Sequence, residues 1–145
     1  MKDSAVFPHA SARSGIYAAP ESSASLRRSA HASGLAWFDL DLAGVDTKAA
    51  LLVRCQTVFG LPPGFGHNWD ALADSLGDFS WQPARGYIVA VTHGATLAQH
   101  AAPEFAAALE IFAAAATYWA SQGRVFIVLL DGPTRGGRAY ASLPA

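Results

Sequence analysis

The chain has 145 residues, enough for one domain with a substantial core. Charged residues make up 14% of the chain and Cys55 is its only cysteine, which excludes an intrachain disulfide and a thiolate metal cluster. Charge is unevenly distributed: residues 34–131 contain four Lys or Arg side chains against nine acids, a net of −5, which argues against direct binding of nucleic acid.

No helix or strand is predicted in the first residues of the chain. Residues 1–14 are polar and interrupted by proline, so we expect a flexible arm, and they lack the sustained apolar run of a secretory signal. Residues 15–18 have the composition of a short strand, and residues 20–33 favour a helix that Gly34 would end. We expect this strand and helix to add to one edge of the sheet.

The remaining elements alternate between strand and helix. Strands are predicted at residues 35–40, 87–91 and 125–130, and helices at residues 47–59 (capped by Asp46), 96–101 and 103–122. This alternation predicts an α/β fold with a small parallel sheet of three strands, or four if residues 15–18 join it. One domain would span residues 15–131, followed by a flexible tail at residues 132–145. The most apolar helix contains Glu110 and is too short to span a membrane, so we expect a soluble, cytoplasmic protein.

Residues 60–79 combine a loop with a short helix. Prolines and glycines predominate before Asn68, whose side chain can cap a helix that begins at the next residue. The helical wheel places five residues on one side: Trp69, Leu72, Ala73, Leu76 and Phe79. Three acids lie on the other side, at i, i+4 and i+8: Asp70, Asp74 and Asp78. If Gly77 ends the helix, Asp78 belongs to the next loop.

Two interpretations of this acidic row remain open. Like charges four residues apart destabilise a helix by about 0.2–0.5 kcal/mol per pair. The row is therefore either an ordinary solvated face or a negative patch that serves a basic partner.

Catalytic and metal-binding alternatives fit the sequence less well. An acid pair that hydrolyses a substrate needs a cleft, whereas Asp70 and Asp74 on adjacent helical turns form a convex ridge. A metal site formed by these acids and His67 would lack a second histidine at helical spacing. Cys55 is expected to be a small buried apolar group. We therefore expect neither enzymatic activity nor a bound metal.

One combination of residues at fixed spacing carries a family resemblance: Pro62, Gly66, Asn68, Asp70, Leu72 and Asp74. It is similar to the central segment of the barstar family, protein inhibitors of barnase-type ribonucleases, and the similarity extends more weakly over residues 35–130. The resemblance implies a parallel sheet packed by helices and a binding protein without a cofactor. It also implies a barnase-type ribonuclease or RNase toxin as the partner, no contact with membrane or nucleic acid, and a monomer when free.

The resemblance also assigns roles by position. Asp74 matches the acid that enters the nuclease active site, and Asp70 matches the acid beside it. Asn68 and Gly66 match residues at the edge of the contact, while Phe65 and Phe79 match aromatic positions near it. His67 and Asp78 complete the predicted partner-binding surface. The alternative is an interaction module of the same fold that binds a different basic protein.

Overall fold

A four-stranded parallel sheet forms the centre of the protein. The computed structural model describes residues 14–135 and 138–143. The strands are β1 (Gly15–Ala18), β2 (Leu35–Asp41), β3 (Gly86–Thr92) and β4 (Val125–Leu130). Their spatial order is β1-β4-β3-β2, and every neighbouring pair is parallel. The predicted α/β fold is confirmed, and the short N-terminal strand joins the sheet at an edge, beside β4.

In the described part of the chain, five helices connect these strands: α1 (Ala24–Ala32), α2 (Lys48–Phe59), α3 (Trp69–Leu76), α4 (Ala95–His100) and α5 (Ala102–Ser121). Two predicted starts are wrong. Helix α1 begins at Ala24 rather than near Pro20, after an irregular segment. Helix α2 is capped by Thr47 rather than Asp46, because the Thr47 side chain accepts a hydrogen bond from the backbone N–H of Ala50.

The two faces of the sheet are covered by different parts of the chain. One face packs against α2, α3, α4 and α5 in the larger core cluster, where Leu72 and Leu76 of α3 are completely buried. The opposite face packs against α1, whose Ala30 is buried beside Ile88 and Ile127. The layers therefore place α3 and α1 on opposite faces of the sheet.

Part of the predicted flexible tail lies against the sheet. Residues Pro133–Arg135 form a 3₁₀ turn, and Arg135 donates hydrogen bonds to the carbonyls of Leu130 and Ala19, both at 3.2 Å. The backbone N–H of Ala18 donates to the carbonyl of Ala141 at 2.8 Å. The Ala18 contact partly covers the outer edge of β1, which would otherwise present unpaired backbone groups. Residues 1–13, the bulk of the predicted arm, lie outside the described residues.

Within the described part of the chain, no helix combines the length and the apolar character needed to cross a membrane.

Candidate protein-binding site

Helix α3 begins at a well-formed cap. Asn68 has extended backbone angles, and its Oδ1 accepts a hydrogen bond from the backbone N–H of Ala71 at 2.8 Å. Its Nδ2 donates to the carbonyl of Gly66 at 3.4 Å. A Cβ at Gly66 would lie only 3.1 Å from the same Nδ2, so a larger residue there would crowd the capping side chain. Asn68 therefore fixes both the helix start and the loop before it, as the predicted cap requires.

The loop before the cap is anchored by apolar side chains. Gly60 has φ +66°, the left-handed conformation that ends α2. Leu61 and Phe65 are buried, and the backbone N–H of Phe65 donates to the carbonyl of Pro62 at 2.9 Å in a turn. The predicted contact residue Phe65 thus points into the core, where it holds the loop rather than presenting its ring at the surface.

His67 lies on the exposed side of this loop. Its φ is +53°, and its ring centroid is 4.9 Å from that of Phe65. His67 Nε2 is 2.7 Å from Oε1 of Gln56 on α2. The histidine is therefore held in place from two sides, and it remains exposed next to the start of α3.

The outer face of α3 presents the acids. Asp70 and Asp74 are exposed, and within the described residues neither carboxylate has a hydrogen bond or an ion pair. Ala73, which the helical wheel grouped with the apolar residues, is also exposed. The helix has only eight residues and buries a narrow stripe, Leu72 and Leu76.

Contacts from neighbouring helices hold both ends of α3. Trp119 of α5 is buried, and its Nε1 donates to the carbonyl of Leu76, the last residue of α3, at 2.8 Å. At the other end, Lys48 Nζ of α2 lies 4.8 Å from the centre of the Trp69 ring. The first contact satisfies a buried carbonyl that the helix leaves open, and the second is a cation–π interaction. The carboxylates therefore stand on a helix with a fixed direction.

The third acid lies beyond the helix. Gly77 is the C-terminal cap, so Asp78 belongs to the following loop, where Ser80 Oγ donates to its Oδ2 at 3.1 Å. Phe79 has φ +53° and is 1% exposed, with its ring stacked 4.4 Å from that of Tyr87. The Phe79 ring is therefore part of the core beneath the site, whereas Asp78 lies exposed at its border.

Two supporting residues were missed by the sequence analysis. Lys48 and Trp119 contact α3 from positions that are remote in the chain, and no local pattern indicates them. The structure brings the exposed members of the predicted surface onto one continuous segment: Gly66, His67, Asn68, Asp70, Asp74 and Asp78. Across residues 14–135 and 138–143, no group of three or more His, Cys, Asp or Glu side chains is close enough to hold a metal ion.

Comparison with protein families adds the deciding observation. Residues 35–131, about two thirds of the chain, match the family described as Barstar (barnase inhibitor). The chain belongs to the barstar family. The match begins at the first residue of β2 and ends one residue after β4, so the barstar-type region includes the capped loop and α3, whereas β1 and α1 lie outside it. No curated protein matches the chain at a significant level.

Proposed function

We propose that this barstar-family chain inhibits a barnase-type ribonuclease, or an RNase toxin of that type, by inserting the acidic face of α3 into the enzyme's active site. The observation that carries the proposal is the pair of exposed carboxylates, Asp70 and Asp74, which have no partner within the described residues. They lie on a helix whose two ends are fixed. The family's description as barnase inhibitors gives independent support.

The physical basis is substitution of carboxylate oxygens for phosphate oxygens. A ribonuclease active site is a basic groove that binds the RNA backbone, and its arginine side chains can pair with carboxylates through two parallel hydrogen bonds. The net charge of −5 over residues 34–131 attracts such a groove at long range and speeds the encounter. Close, dry contacts then slow dissociation.

Residues in the site contribute in different ways. We assign the central contact to Asp74 and the flanking contact to Asp70, while His67 and Asp78 lie at the border. Asn68 and Gly66 set the loop geometry. Since Phe65 and Phe79 are buried, they support the surface from below. The proposal requires one copy of the chain per enzyme and no cofactor. It also requires that the chain meet the enzyme in the cytoplasm.

Inhibition assays test this proposal. The full chain would be titrated against a panel of small bacterial ribonucleases with a fluorogenic RNA substrate. Asp74→Asn removes one charge with almost no change of shape, and we expect it to raise the inhibition constant by at least about thirtyfold, the loss expected for an interface hot spot. Asp70→Asn should have a smaller effect. Glu21→Gln, which removes an equal charge from an exposed residue before α1, is the matched control and should change little.

Two results would contradict the proposal, and one of them would favour the alternative function, an interaction module that binds a different basic protein. If no ribonuclease in the panel were inhibited, while a basic protein without nuclease activity bound in an Asp74-dependent way, the chain would be an interaction module. If the Asp70→Asn and Asp74→Asn double variant inhibited a ribonuclease as strongly as the unmodified chain, α3 would not be the inhibitory surface.

A further inference from the structure

Among the described residues, strand β2 lies at an edge of the sheet and pairs with β3 alone. The Leu42 N–H donates to the Thr92 carbonyl at 2.8 Å, and the Gly34 carbonyl accepts from the Arg85 N–H at 3.1 Å. Backbone groups alternate in direction along a strand, so the even-numbered residues face β3 and the odd-numbered residues face outward. Three outward-facing residues have N–H and carbonyl groups without a partner among the described residues: Leu35, Trp37 and Asp39.

The open edge ends at Asp41. Its outward-facing carbonyl accepts a hydrogen bond from the Arg54 side chain, in agreement with the alternation. Unpaired backbone groups of this kind form a template for another strand. The free part of the edge therefore covers residues 35–39, long enough for a short extended segment to pair with it.

A groove runs beside this open edge. It has a volume of about 590 Å³, and the wall that α1 forms carries two arginines and a histidine: Arg27, Arg28 and His31. Gln82, from the loop before β3, also lines it, and residues 35–37 of β2 form its floor. The basic wall belongs to α1, outside the region that matches the barstar family, and it lies on the sheet face opposite α3.

The polar side chains on the groove wall differ in whether they have a partner. Arg27 forms an ion pair with Asp39 and lies 5.2 Å from the centre of the Trp37 ring, so it is held in place. Arg28 and His31 are exposed and have no partner within the described residues. The Arg85 side chain lies against Gly34, immediately before β2, and adds a further positive charge. The groove thus favours a negatively charged occupant.

We propose that the outer edge of β2 binds an extended acidic segment of a partner protein, which adds a strand to the sheet. Backbone hydrogen bonds to Leu35, Trp37 and Asp39 would hold the segment, and the basic wall of α1 would select acidic side chains. A nucleic acid offers no alternating N–H and carbonyl groups to pair with this edge. A second copy that paired antiparallel through β2 would bring the two basic α1 helices to the same face, where they repel each other.

Peptide titrations followed by NMR test the proposal without relying on ribonuclease inhibition. The probe is a blocked heptapeptide in which glutamate alternates with valine, and the matched control peptide has lysine in place of glutamate. We expect the glutamate peptide to shift the amide signals of Leu35, Trp37 and Asp39 more than those of Ala36 and Phe38. Arg28→Glu should weaken binding about five- to tenfold, because a charge reversal replaces an attraction with a repulsion. Arg138→Glu, outside the groove, should leave affinity unchanged.

Several results would overturn this assignment. They are equal binding of the lysine peptide, no binding of the glutamate peptide, and shifts confined to other parts of the chain. Concentration-dependent dimerisation that moves the same amide signals without peptide would assign the edge to a second copy of the chain. Stronger perturbation of these amides by a uridine oligonucleotide would assign the groove to RNA. Unchanged α3 amide signals in Arg28→Glu would show that the variant is folded.

Discussion

The hydrogen bond from Trp119 to the end of α3 gives a quantitative prediction. Trp119→Phe keeps an aromatic ring but removes the N–H that donates to the Leu76 carbonyl at 2.8 Å. Both residues are buried, and this is the only described hydrogen bond to that carbonyl. An orphaned buried carbonyl costs about 1–3 kcal/mol, and loss of the second ring of the indole adds about 1 kcal/mol. We therefore expect the free energy of unfolding to fall by about 2–4 kcal/mol.

Urea denaturation, followed by circular dichroism and interpreted by linear extrapolation, measures this loss. Tyr118→Phe is the matched control, because Tyr118 is the neighbouring residue of α5 and is 45% exposed. Its effect should stay within about 0.5 kcal/mol. A loss below about 0.5 kcal/mol for Trp119→Phe, with an unchanged denaturant slope, would refute the reasoning and show that the Leu76 carbonyl finds another partner at no cost.

Three further predictions follow from single sites. Asn68→Ala should cost about 1 kcal/mol of unfolding free energy, whereas Asn68→Asp, which keeps the acceptor, should cost less; equal losses in urea denaturation would exclude the capping role. Burial raises the pKa of Cys55 to about 12, so a disulfide-exchange reagent should label it rapidly only after denaturation, and fast labelling of the native protein would show that the thiol is accessible. Hydrogen bonds from the Ala43 N–H and from His93 lower the pKa of Asp41 below its ordinary value of 3.8. Its contribution to stability is therefore present above that value and lost as the pH falls through the lower folded-state value. Asp41→Asn should show a smaller loss of stability over this acidic range, and an unchanged acid profile would contradict the assignment.

Local chemistry allowed the ends of several elements to be predicted from sequence. Asn68 caps α3 and α2 ends at Phe59, as predicted, because each end depends on atoms within a few residues along the chain. The same reasoning failed at α2, where Asp46 and Thr47 are neighbours and both can cap a helix. The extended backbone of Thr47 decides between them, and that conformation is not encoded by residue type alone.

Contacts between distant segments could not be predicted in this way. Trp119 and Leu76 are 43 positions apart, and the hydrogen bond between them depends on how α5 packs against α3. The strand at residues 15–18 was predicted, but its pairing with β4 follows from the packing of the whole sheet. The helical wheel groups Ala73 with the apolar residues, but it cannot show how narrow a stripe of α3 the neighbouring helices cover, and Ala73 is exposed.

The proposed partner-binding surface depends both on local sequence and on contacts between distant segments. The order of residues in the stretch predicted a loop, a cap and acids one helical turn apart, and the structure places Asp70 and Asp74 on the exposed side. The direction of the Phe65 ring could not be predicted, since aromatic side chains can occupy either a core or an interface. The helical wheel grouped Phe79 with the apolar residues, and its ring is buried. The burial of both rings depends on cavities formed by residues elsewhere in the chain.

Competition for the active site tests the central claim most directly. A ribonuclease that the chain inhibits would be titrated with the chain in the presence of increasing concentrations of a nucleotide that binds the enzyme's phosphate site. If Asp70 and Asp74 occupy that site, the apparent dissociation constant of the chain rises in proportion to nucleotide concentration, and no ternary complex forms. Simultaneous binding of chain and nucleotide, with an unchanged dissociation constant, would contradict the account.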